Sequence, residues 1–77
     1  MFYVELIIQG APSSELSIEV SARSANLAAQ TAHSLWMSAG RLPPVGTWYS
    51  IRVYGEMGEK IREFNRRDTA AATAKRK

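Results

Sequence analysis

His33, the only histidine, is the first residue to weigh, because imidazole is the side chain best suited to general acid–base work near neutral pH. It lies within Ser24–Gly40, a stretch without a single Asp or Glu, so no acidic residue within a helical turn could orient it. A solvated or interface histidine, on the flank away from the apolar stripe, is the plainer reading. Carboxylate pairs occur at Glu15/Glu19, which straddle a strand, and at Glu56/Glu59, which flank a turn. Both are places where charges ordinarily serve as solvated ends of elements. With no cysteine there is no thiolate nucleophile, no disulfide framework and no cysteine-based zinc site, and a lone histidine removes any His-paired metal motif. Gly55-Glu56-Met57-Gly58 lacks the spacing and flanks of a phosphate loop, and no serine sits in a G-x-S-x-G elbow. No catalytic residue, metal ligand or cofactor motif is expected, and the chain reads as a non-enzyme.

Binding chemistry is better represented. Aromatic residues interleave with arginines in the second half of the chain, at Trp48, Arg52, Tyr54, Arg62 and Phe64, with Tyr3 near the start. Rings that stack on bases beside cations that meet phosphates suit single-stranded nucleic acid. The same residue types are also enriched at the centres of protein interfaces. A third reading is a sheet face covered by its own side chains, its aromatics present for strand propensity.

The elements that must position these residues follow from hydrophobic period. Residues 2–9, FYVELIIQ, alternate partly, with Phe2, Val4, Leu6 and Ile8 on one side. After the loop Gly10–Ser14, residues 15–23 alternate cleanly, with Leu16, Ile18, Val20 and Ala22 on one face. A hairpin pairing Ile8 with Leu16 also sets Leu6 opposite Ile18, Val4 opposite Val20 and Phe2 opposite Ala22, every apolar partner on one side. The period then changes. Ser24 is a good N-cap, Ala25–Ala39 is free of Pro and Gly, and Gly40 followed by Pro43-Pro44 stops the helix. Leu27, Ala28, Thr31, Ala32, Leu35, Trp36 and Ala39 form the expected buried stripe. Period two returns at residues 47–55, with Tyr49, Ile51 and Val53 inward and Trp48, Ser50, Arg52 and Tyr54 outward. A turn over residues 55–58 puts Gly58 at positive φ, and a last strand runs from about Glu59 to Arg66. A three-residue loop pairs Val53 with Ile61, which sends Phe64 to the opposite face unless a bulge re-aims it.

The reading is therefore α+β in the order β-β-α-β-β: a four-stranded antiparallel sheet with one helix packed on one face. Residues 1–67 form one domain, and residues 68–77 a flexible or Ala-rich basic tail. The sheet face away from the helix is expected to present Tyr3, Glu5, Ile7, Ser17, Glu19, Ser21, Arg23, Trp48, Ser50, Arg52, Tyr54, Lys60, Arg62 and Phe64. The helix is a second candidate surface, since Ser24–Gly40 holds no formally charged side chain over 17 residues. Exposed helix faces usually carry Lys, Glu or Arg. A homodimer through either surface would add buried area to so small a core.

The 77 residues carry a formal net charge of +3. Residues 1–40 hold one basic residue against three acidic ones, and residues 41–74 six against four, so the body is neutral. The whole excess sits in Lys75, Arg76 and Lys77, which weighs against a continuous phosphate track. Apolar runs such as Leu6-Ile7-Ile8 are too short to span a membrane, and no secretory signal is legible, so a cytoplasmic protein without a membrane partner is expected.

The passage IEVSARSANLAAQTAHSL, set in this hairpin–helix–hairpin order and in a short cysteine-free chain, resembles small accessory proteins of phages and prophages, including α+β anti-CRISPR proteins. The resemblance covers residues 2–66 as architecture and carries no site residues with it. It implies a non-enzymatic inhibitor that blocks a surface of a host or defence protein. Inhibitors that mimic nucleic acid are acidic, and this chain is not, which speaks against direct mimicry. The expectation is thus a protein-binding module with Trp48, Arg52, Tyr54 and Arg62 as contacts and Tyr3 and Phe64 behind them. The alternative is a module for single-stranded or structured nucleic acid, using the aromatic/Arg face and the basic tail.

Overall fold

The computed structural model describes residues 1–67; the expected tail, residues 68–77, lies outside the described residues. The elements are β1 (Phe2–Ile8), β2 (Leu16–Val20), α1 (Ala25–Ser38), β3 (Trp48–Tyr54) and β4 (Lys60–Arg67). They form one four-stranded antiparallel sheet with the helix on one face, as the periodicities predict, and the structure sets the strand order as β2-β1-β3-β4, with β1 and β3 paired at the centre. Because β2 and β3 both run antiparallel to β1, the helix carries the chain across β1 and joins two strands that are parallel to each other. No helix among the described residues is long and apolar enough to cross a membrane.

The first hairpin forms in a register two residues from the expected one. Leu6 pairs with Leu16, Val4 with Ile18 and Phe2 with Val20. A shift of two keeps every side chain on its face, so apolar alternation alone does not distinguish the registers. The loop decides. The Ala11 N–H donates to the Ile8 carbonyl at 2.9 Å and the Glu15 N–H to the Leu6 carbonyl at 2.7 Å, closing the chain well before Leu16 can reach Ile8. Ile8 pairs instead with Tyr49 of β3.

Helix α1 starts where its cap predicts. Ser24 Oγ accepts from the Leu27 N–H at 3.2 Å, satisfying one of the orphan donors of the first turn. Gly40, at φ +70, follows the last turn in the left-handed region that glycine enters without strain. The buried side of the helix differs from the expected stripe. Ala25, Ala28, Ala29, Ala32, His33 and Trp36 face the sheet, whereas Leu27, Thr31, Leu35 and Ala39 face outward. Two physical demands account for the rotation. Four alanines let the backbone lie close to Val4, Leu6, Ile51 and Val53, which a central leucine would hold away. The hydroxyl of Tyr49, a side chain only 1% exposed, also needs a polar partner, and His33 Nε2 lies 3.1 Å from it. His33, which the sequence places on the flank away from the apolar stripe as a solvated or interface residue, is instead part of the helix–sheet contact.

The second hairpin turns at Gly58, with φ +85 as its position requires. An irregularity between Val53 and Tyr54 then lets Val53 pair with Arg62 and Tyr54 with Lys60. Ile61 occupies the extra position, 44% exposed, and the parity of the rest of β4 is reversed. Phe64 lands opposite Ile51 and packs against the core.

Candidate functional site

The sheet face opposite α1 is ordered in cross-strand rows. One row sets Glu19, Tyr3, Tyr54 and Lys60 side by side, and the next Ser17, Glu5, Arg52 and Glu63. Beyond them come Ile7, Ser50 and Asn65, and at the end Trp48 and Arg67. Each row is a set of opposed residues whose side chains share one face, so contacts run across the strands.

Those contacts are specific. The Tyr3 and Tyr54 rings lie 6.1 Å apart at 49°, a tilted pair within ordinary aromatic range. Ser50 Oγ donates to Asn65 Oδ1 at 2.7 Å. The Arg67 guanidinium sits 4.9 Å from the centre of the Trp48 ring, a cation–π contact that leaves Trp48 47% exposed. Glu63 is the hub of the charges: Lys60 Nζ donates to its Oε1 at 2.8 Å, and Arg52 Nε lies 3.5 Å from its Oε2. That Nε is buried and has no hydrogen-bond partner within the described residues.

The electrostatics follow from this arrangement. The hydrogen bond from Lys60, and then the positive charges of Lys60 and Arg52, hold the Glu63 carboxyl below its ordinary pKa. A hydrogen bond to Tyr54, with the Glu63 charge adding to it, holds the Arg52 guanidinium above its own. Because the folded Glu63 pKa is lowered, its contribution to stability is complete above the ordinary carboxylate range and is lost as pH falls through the lowered value. The Glu63→Gln variant is therefore expected to melt slightly below the wild type at neutral pH, by no more than a surface ion pair supplies. The gap should close on acidification. A gap that widened in acid would contradict the assignment.

The face is relieved by two hollows. One, of about 570 Å³, is lined by Phe2, Tyr3, Glu5, Glu19 and Tyr54, with Glu56 at its rim in an ion pair with the Met1 ammonium at 3.2 Å. The other, of about 380 Å³, lies among Ile7, Ser50, Arg52, Glu63 and Asn65. The Glu5–Arg52–Glu63 row touches both.

Of the residues singled out from sequence, Tyr3, Trp48, Arg52 and Tyr54 come together on this face. Arg62 and Phe64 do not. The irregularity at Ile61 carries them to the helix side, Arg62 opposite Val53 and Phe64 opposite Ile51. Phe64 there floors a separate cleft of about 440 Å³ between α1 and β4, with Asn26, Gln30 and His33 on one wall and Arg66 on the other. In exchange the open face gains Glu63, Asn65 and Arg67, which sequence reasoning missed. The usable signal was Phe64 itself: it is the one aromatic residue in β4, and burying it demands the reversed parity.

Chemically, this face can place a flat ring, a fixed guanidinium and paired amide and hydroxyl groups against a second surface. Three carboxylates (Glu5, Glu19, Glu63) and three cations (Arg52, Lys60, Arg67) share it, so it is formally neutral. Among the described residues no group of three or more His, Cys, Asp or Glu could hold a metal ion. The chain matches no known protein-family model, no curated protein and no solved structure.

Proposed function

We propose that the domain is a non-enzymatic protein-binding module that acts by occupying a surface of a partner protein with its open sheet face. The observation that carries this reading is the charge balance of that face. Arg52 lies between Glu5 and Glu63 in a single row, so a phosphate backbone running across the strands would meet a carboxylate on either side of the cation. A protein surface with its own mixed charges has no such difficulty, and exposed Trp48 and the Tyr3–Tyr54 pair supply the aromatic anchors common at interface centres. The partner in this reading is a host or defence protein, the class of target that the resemblance to phage accessory inhibitors implies, met in the cytoplasm.

One feature favours nucleic acid as the second reading: Lys60, Arg62, Arg66 and Arg67 all belong to the edge strand β4. Salt separates the two. Neutralising phosphates releases counterions, so oligonucleotide binding falls steeply as salt rises, whereas a charge-balanced protein contact responds weakly. Affinity capture from the native host is expected to retain a protein, and titration of that protein at two salt concentrations to give similar affinities. An oligonucleotide bound at low salt with a steep salt slope, and no protein captured, would replace this reading with the second.

A further inference from the structure

Strand β4, at eight residues, is the longest of the four strands and lies at the edge of the sheet. Among the described residues it pairs only with β3. From Arg62 to Arg67 that pairing runs without interruption, from Val53 to Trp48, so residues 62–67 form a regular edge. They span about 20 Å at about 3.3 Å per residue. Every second residue of such an edge turns its N–H and C=O away from the sheet. The strand holds no proline, and the irregularity that bends it lies before Arg62. The opposite edge, β2, has five residues, with Glu19 among them and no cation.

The charge of the β4 edge is one-sided. Arg62, Arg66 and Arg67 stand against one acid, Glu63, whose carboxylate is already engaged by Lys60 and Arg52. Arg62 is exposed and enters no ion pair among the described residues. Arg62 and Arg66 lie on the helix side and Arg67 on the open face, so cations flank the backbone edge on both sides.

We propose that this edge takes up an extended acidic segment of another protein as a fifth strand of the sheet. Backbone hydrogen bonds to the outward N–H and C=O groups of residues 62–67 supply the attachment, and side chains at alternate positions supply the selection. Carboxylates of the incoming strand meet Arg62 and Arg66 on one side and Arg67 on the other. The same charges exclude a second copy of β4, which would set three arginines against three arginines. A long edge without proline needs such protection from self-pairing, and a positive field gives it while leaving the edge open to an acidic strand. A phosphate backbone also meets arginines, but it cannot continue the ladder of alternating N–H and C=O groups. The inference concerns the edge alone and stands independently of the open-face reading.

Amide chemical-shift titration of the full, isotope-labelled chain with a blocked octapeptide of alternating Glu and Thr tests this. Saturable shifts are expected in the amides of residues 62–67, with slower hydrogen exchange at alternate positions. Methylating every second peptide nitrogen should weaken binding about tenfold or more in one phase and little in the other, since only one set of amides meets the edge. Arg62→Glu alters an exposed position, and circular dichroism checks that the variant is folded. It should also weaken binding about tenfold or more, and a peptide with Lys in place of Glu should not bind. No saturable shift at β4 overturns the proposal, as does a contact insensitive to methylation in both phases. Shifts confined to Tyr3, Trp48 and Tyr54 overturn it by placing the peptide on the open face. Oligothymidylate of equal length bound more tightly than the peptide overturns it in favour of nucleic acid.

Discussion

Trp36→Ala is expected to leave most of the protein unfolded on mild warming, whereas Leu35→Ala, one residue away, leaves its stability nearly unchanged when measured at dilution. Trp36 is 6% exposed and belongs to the buried cluster that joins α1 to the sheet. Truncating a buried tryptophan costs about 3–5 kcal/mol, the lost transfer energy plus the cavity left behind. A core of this size rarely supplies more than about 3–5 kcal/mol in all, so the single change is comparable with the whole stability. The neighbouring alanines Ala28, Ala29 and Ala32 carry no side-chain atoms that could move in to fill the space. Leu35 is 49% exposed, and its loss should stay within about 0.5 kcal/mol, as for most surface changes. Urea unfolding followed by far-ultraviolet circular dichroism measures both. Equal losses for the two variants would mean that the helix faces the sheet with the stripe that periodicity suggests rather than with the one described above.

The second large effect is on binding. Trp48→Ala combined with Arg52→Ala is expected to cost at least about 2 kcal/mol of partner affinity, roughly thirtyfold, while the fold persists. Trp48 stands at one end of the open face, stiffened by the Arg67 guanidinium 4.9 Å from its ring centre. Arg52 stands at the middle, its Nε 3.5 Å from Glu63 Oε2. Both side chains are thus ordered before the partner arrives, which reduces the entropy lost on binding. Neither belongs to the buried cluster, so the unfolding midpoint should shift little. Calorimetric titration of the captured partner reads the effect. Unchanged affinity in a folded double variant would move the contact surface off this face.

These two predictions draw on parts of the molecule that were unequally legible in the sequence. Period-two patterns located all four strands, and Ser24 and Gly40 marked the helix ends, because strand alternation and end capping are local properties. The face assignment of Tyr3, Trp48, Arg52 and Tyr54 followed from the same alternation and holds in the structure. Arg62 lies on the face opposite to the expected one, and Phe64 is re-aimed inward by the bulge that alternation leaves open, because one extra residue at Ile61 reverses the parity of everything after it. The turn sequence alone does not reveal that residue. It emerges once Phe64 is required to pack opposite Ile51.

The sequence alone determined which segments are strands and which is the helix, and it set the alternation of each strand segment up to the irregularity. Those are consequences of steric preference and of period, which a short stretch carries within itself. Three things were decided only in tertiary structure: the hairpin register, the rotation of α1 and the parity of β4. The register depended on how the loop closed its own hydrogen bonds, since a two-residue shift leaves burial unchanged. The rotation depended on the buried hydroxyl of Tyr49, which drew His33 inward and turned Leu27 and Leu35 out to solvent. The rotation and the parity hinge on satisfying a polar group or filling a space between elements distant in the chain; the register hinges on backbone hydrogen bonds of the loop, which side-chain alternation does not encode.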